Sequence, residues 1–98
     1  MEQIWIATIE VQVEAGDMPS GDTLGFMKIA MWAETQDNFV RKVEAYLAKY
    51  DWMLLSIENT VIATCDANYD DETNHMIEEV SLDKNAVRLG TYYSYKPE

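Results

Sequence analysis

A single cysteine, a single histidine, two prolines and four glycines in 98 residues leave several functions without material. One cysteine cannot close an internal disulfide, which agrees with a reducing compartment. A structural zinc site takes four Cys or His ligands, and one of each does not supply it. So little Gly and Pro, beside 48% apolar and 26% charged residues, describes a folded chain and not a low-complexity one. Long apolar runs are also missing. None approaches the roughly 20 residues that cross a bilayer, and the amino-terminal MEQIWIATIE has an acid where a secretion signal needs bases. A cytoplasmic protein that does not engage a membrane is expected.

Positive charge is the other scarcity. Seven Lys and Arg stand against eighteen Asp and Glu, for a formal charge of −11, and nine acids occur between Lys49 and Lys84 without one base. Such a field repels phosphate, so direct binding to nucleic acid is disfavoured and a basic protein partner is favoured. Excess acid also serves solubility alone, a reading that needs no partner. The length suits one domain, 1–98, with a single core.

Two hydrophobic periods alternate along that domain. Residues 5–14, WIATIEVQVE, place Trp5, Ala7, Ile9, Val11 and Val13 on one side and Ile6, Thr8, Glu10, Gln12 and Glu14 on the other, a strand with one wet face. After the turn-forming AGDMPSGDT, LGFMKIAMWAE resumes the alternation with Met27, Ile29, Met31 and Ala33, and a long-looped hairpin is expected. From Asp37 the step changes to three and four. Phe39, Val40, Val43, Tyr46, Leu47 and Tyr50 form the stripe of an amphipathic helix of about 14 residues, capped by Thr35 or Asp37, with Arg41, Lys42 and Lys49 outside it. MLLSI and TVIATC then form two short strands if Glu58-Asn59-Thr60 is a turn, although one strand from Trp52 to Cys65 fits the same residues. A second helix over Asp71–Leu82 turns Thr73, Met76 and Val80 inward, and AVRLGTYYSY is the last strand.

With that turn, the order from Leu24 is strand, helix, strand, strand, helix, strand, the order of the ferredoxin-like split βαβ fold, here with an extra amino-terminal strand. The expected fold is α+β, a two-layer sandwich of a mainly antiparallel four- to five-stranded sheet with both helices on one face. The opposite face then carries Phe26, Trp32, Trp52, Leu54 and Tyr92, too much aromatic surface to leave wet. A homodimer through the sheet covers it, as does a loop or the Tyr-rich tail folding over. A dimeric regulatory domain with a small-ligand pocket among Trp32, Trp52, Tyr92 and Tyr93 is the alternative function.

The stretch with most chemistry is 66–79, DANYDDETNHMIEE. Asp66, Asn68 and Asp70 match the first ligand positions of a calcium loop, but Asp71 stands where the loop needs Gly and Ile77 where it needs a bidentate Glu. Cys65 and His75 lack an oxyanion donor or a third orienting group, so they do not make a nucleophile and base pair. No catalytic constellation, metal site or cofactor motif is visible, and a non-enzymatic role is expected. Asp70 and Asp71 suit a helix start, while Glu78 and Glu79 lie at the end where the dipole disfavours acid. The expected function is an acidic protein-binding module, of the inhibitor or immunity type, that meets a basic partner through Asp66, Tyr69, Asp70, Asp71, Glu72, Glu78 and Glu79, with Tyr69 as anchor.

Overall fold

A computed structural model describes residues 2–14, 16, 23–63 and 69–95. Their order is β1 (Gln3–Gln12), β2 (Leu24–Ala33), α1 (Gln36–Ala48), β3 (Met53–Ile62), α2 (Asp71–Ser81), β4 (Val87–Leu89) and β5 (Tyr93–Ser94). The sheet is antiparallel and five-stranded, with β3, β1, β2 and β4 side by side and β5 on β2 beyond the end of β4. This is an α+β domain. Because β2 and β3 both run against β1, they are parallel to each other with β1 between them. The segment β2–α1–β3 is therefore a split βαβ unit, consistent with a ferredoxin-like topology.

The strand expected as an amino-terminal addition is a central one. β1 and β2 pair without slippage from Gln3 opposite Ala33 to Gln12 opposite Leu24. Directly opposed residues share a face, so Ala7, Ile9, Val11, Met27, Ile29, Met31 and Ala33 form one side. Onto it α1 presses Phe39, Val43 and Leu47, all fully buried. Each contributes roughly 1.5–3 kcal/mol of transfer free energy. Trp5 stacks on Phe39 with centroids 6.0 Å apart and donates its indole N–H to the Ala33 carbonyl at 3.0 Å. Thr35 is the cap, its hydroxyl accepting from the Asn38 N–H at 3.1 Å.

The placement of both helices on one face is corrected. α2 lies on the other side, where Met76 and Val80 form a second core with Ile6 and Ala30 and lean on Ile4 and Trp32. The reason is in β1 and β2 themselves. Ile4 and Ile6 lie opposite Trp32 and Ala30, so the face expected to be wet is apolar over one half and needs its own cover. Thr8 and Glu10 make only the other half of it polar.

Glu58-Asn59-Thr60 is not a turn. β3 is continuous, with a one-residue slip of register between Ile6 and Thr8 and another between Glu10 and Val11. Asn59 and Thr60 together face Ala7, and Asn59 takes the left-handed conformation at φ 55°. Asn tolerates this region better than most residues. Leu55 is the second extra residue, and Leu54 and Ile57, three apart, consequently face the α1 core together. The last strand is also interrupted. Gly90 donates to the Lys28 carbonyl and Tyr93 lies opposite Phe26, so Thr91 and Tyr92 share the place opposite Met27. Tyr92 packs so closely on Gly25 that a methyl group there would stand 2.5 Å from its ring. No helix among the described residues is long and apolar enough to cross a membrane.

Replacing Asn59 by Val forces a β-branched side chain into the left-handed region and is expected to destabilise by about 1–2 kcal/mol, whereas Asn59→Gly is close to neutral. Chemical denaturation of both variants checks this, and equal losses would contradict the bulge.

Candidate functional site

The acids expected to face a partner divide into two groups in the fold. Asp70, Glu72 and Glu79 hold α2 to the sheet. Asp70 is the cap of α2, accepting from the Thr73 N–H at 2.7 Å, and its other oxygen meets Lys28 Nζ at 2.9 Å. Lys28 also donates to Thr73 Oγ1 at 2.9 Å. Glu72 receives the Thr91 N–H at 2.8 Å and the Thr91 hydroxyl at 2.6 Å, the two groups turned toward it by the bulge. Glu79 accepts from Arg88 Nε on β4 and lies 2.6 Å from His75 Nε2. The late acid pair therefore has half its explanation inside the molecule: Arg88 compensates Glu79 at the unfavourable end of the helix.

These bonds set the electrostatics. Hydrogen bonds from the Thr73 side chain and from Lys28 hold the Asp70 carboxyl well below the usual range. The Thr91 hydroxyl and then its N–H lower Glu72, and the Arg88 guanidinium lowers Glu79. On the open half of the same sheet face, the Tyr95 hydroxyl donates to Glu10, which raises the tyrosine, and Ser56 donates to the other Glu10 oxygen at 3.1 Å.

Asp71 and Glu78 form the second group, exposed and with no hydrogen bond or ion pair to their carboxylates among the described residues. Asp66 lies outside the described residues, as do Asn68 and Cys65. Tyr69 is half-buried against the α2 core. It and Glu78 are brought together on the wall of a groove of about 500 Å³, with Glu2. Ile4, Trp32, Ile62, Ala63 and Ile77 also line it, and Asn74 and Gln3 add amides. An apolar floor with acid at its rim is thus built from one side of α2, from Tyr69 just before it to Glu78, and the neighbouring ends of β1, β2 and β3.

The five residues assigned to a dimer or ligand surface do not form one surface. Trp52, Leu54 and Tyr92 pack on the α1 core. Trp32 lies under α2 and donates its indole N–H to the Val80 carbonyl at 2.8 Å. Phe26 is exposed on the half of the face that α2 leaves open, beside Tyr95 at 5.3 Å between centroids. Bulges put Leu54 and Tyr92 on the side opposite the one that strict alternation predicts, whereas Trp32 and Phe26 keep the expected side, which α2 covers over Trp32 and leaves open at Phe26. Glu2, missing from the sequence-based set, carried no signal beyond its charge. The apolar floor has no linear signature, since Ile4, Trp32, Ile62, Ala63 and Ile77 come from distant parts of the chain.

Among the described residues, no three or more His, Cys, Asp and Glu side chains gather as metal ligands would. The chain matches no protein family, no curated protein and no solved structure.

The lowered carboxyls give a pH dependence of known sign. A folded-state pKa below the ordinary value of about 4 stabilises fully above that range, and the stabilisation disappears as pH falls through the folded value. Acid also relieves repulsion in a chain of charge −11, so the useful quantity is a difference. The melting temperature of the wild type is expected to exceed that of Glu72→Gln near neutrality, with the gap closing in acid. A gap independent of pH would show that Glu72 does not act as a charged latch.

Proposed function

We propose that the chain is a binding module whose α2 face accepts a basic, apolar-bearing segment of a protein partner. One observation carries this: Glu78, the helix-end acid that meets no cation among the described residues, lines an apolar groove with Tyr69 and Glu2. Interfaces place aromatic anchors in desolvated pockets and charges at the rim, where complementarity governs association rate and partner choice. Asp71 adds a further exposed carboxylate on the same helix, without an ion pair among the described residues. A role as an inhibitor of a basic protein in the cytoplasm fits this surface and the scarcity of cysteine. Asp70, Glu72 and Glu79 act indirectly in this reading, by fixing the helix that carries the groove.

The test is a short peptide of alternating Lys and Leu, titrated into isotope-labelled protein at low salt. Amide signals of Ile4, Ala63 and Glu78 are expected to move in a saturable way, and a Glu and Leu counterpart is expected to leave them still. Reversing Glu2 and Glu78 together to Lys should weaken the peptide at least tenfold, with an effect that shrinks as salt screens it. Shifts spread evenly over all exposed acids, including Asp37 and Asp51, would refute a groove and leave only a diffuse field.

A further inference from the structure

Beyond the acidic groove the molecule has a second cleft of opposite character. It lies between α1, the amino end of β4 and the loop before it, with a volume of about 200 Å³. Lys42 and Lys49 reach it from α1 and Lys84 from the loop, so three of the seven bases of the whole chain line one space. Among the described residues no Asp or Glu lines it. Lys42 and Lys49 are seven residues apart, two helical turns, and so share one face of α1. Trp32, Tyr46 and Val87 supply aromatic and apolar wall.

The cations are held to different degrees. Lys42 donates to the Trp32 carbonyl at 2.8 Å and lies 3.5 Å from Glu2, so part of its charge is already answered. Lys84 Nζ is 5.7 Å from the centre of the Trp32 ring, an attraction that positions it without neutralising it. Lys49 has no side-chain hydrogen bond or ion pair among the described residues. Burial, and then a hydrogen bond with Tyr50, raises Tyr46, so the cleft wall at this position is uncharged. Lys49 and Lys84 are exposed at the rim, so their charges are open to a negative group that enters the space. At physiological salt the distant acids are screened beyond about 8 Å, so the lysines at the wall dominate what a small ligand meets.

We propose that this cleft binds a small organic phosphate monoester, its dianionic head among Lys42, Lys49 and Lys84 and its apolar body against Trp32, Tyr46 and Val87. Ammonium groups from separate elements act as point charges around a tetrahedral head, whereas a planar carboxylate is better served by the fork of an arginine. The apolar wall asks for a body that inorganic phosphate lacks.

Phenyl phosphate is the probe, followed by the indole N–H signal of Trp32 and the amides of Asn85 and Ala86 in labelled full-length chain. Saturable shifts are expected at millimolar concentration. Lys49→Ala and Lys84→Ala, both at exposed positions, should each weaken binding about tenfold, the scale of one charge-assisted hydrogen bond. Arg41→Ala removes the same charge from α1 outside the cleft and should change nothing. The absence of saturable shifts, or equal weakening by Arg41→Ala, would overturn the site. Benzoate binding as tightly as phenyl phosphate would overturn the dianionic head, and inorganic phosphate binding as tightly would overturn the apolar body.

Discussion

The uninterrupted pairing of β1 with β2 is the constraint from which the remaining architecture follows. Ten opposed pairs hold the two strands in one register, and that register sorts their side chains into two faces. One face is apolar along its length and the other over half of it. A single helix can cover only one side of a sheet, so the chain needs two helices in opposition and must cross the sheet edge to deliver the second. β3 makes that crossing, leaving α1 on one side and leading to α2 on the other.

The two covers differ in kind. α1 is held by a broad apolar seam, with Phe39, Val43 and Leu47 fully buried. α2 brings fewer apolar side chains and is secured by polar ties to Lys28, Trp32, Arg88 and Thr91. Three of the acids in the α2 segment, Asp70, Glu72 and Glu79, are therefore fastening, while Asp71 stays exposed and Glu78 borders the groove. The bases follow the same division, since Lys42, Lys49 and Lys84 gather at the other cleft. Trp32 is wall to both spaces.

Periodic elements were legible and slipped ones were not. The hairpin, the core face of β1 and β2, Phe39, Val43 and Leu47 of α1 and Thr73, Met76 and Val80 of α2 follow from steps of two or of three and four and the structure keeps them, but Tyr50, placed in the α1 stripe, lies past the helix and is exposed. β3 defeated the same method because its bulges at Leu55 and Asn59 place Leu54 and Ile57 on one side, a spacing no regular strand has. The bulge at Thr91 and Tyr92 likewise split a strand that looked continuous. For the candidate site, Tyr69 and Glu78 were identifiable from charge and helix position. The pairing of Glu79 with Arg88 had no linear signature because Arg88 is a neighbour across space, in a different element. The cluster of lysines has no linear signature beyond the pair on α1, and the loop that brings Lys84 to them follows from α2 lying on the far face.

The order of elements along the chain gives the two-sided hairpin a temporal meaning. Synthesis proceeds from the amino end, and local pairs can form before distant ones. The central strands therefore emerge first with Ile9 and Ile29 bare on one side and Ile6 and Ala30 bare on the other. α1 closes the first side within a few residues of β2, but α2 arrives only after β3 has been added. Until then the second apolar patch is open to whatever else the nascent chain meets.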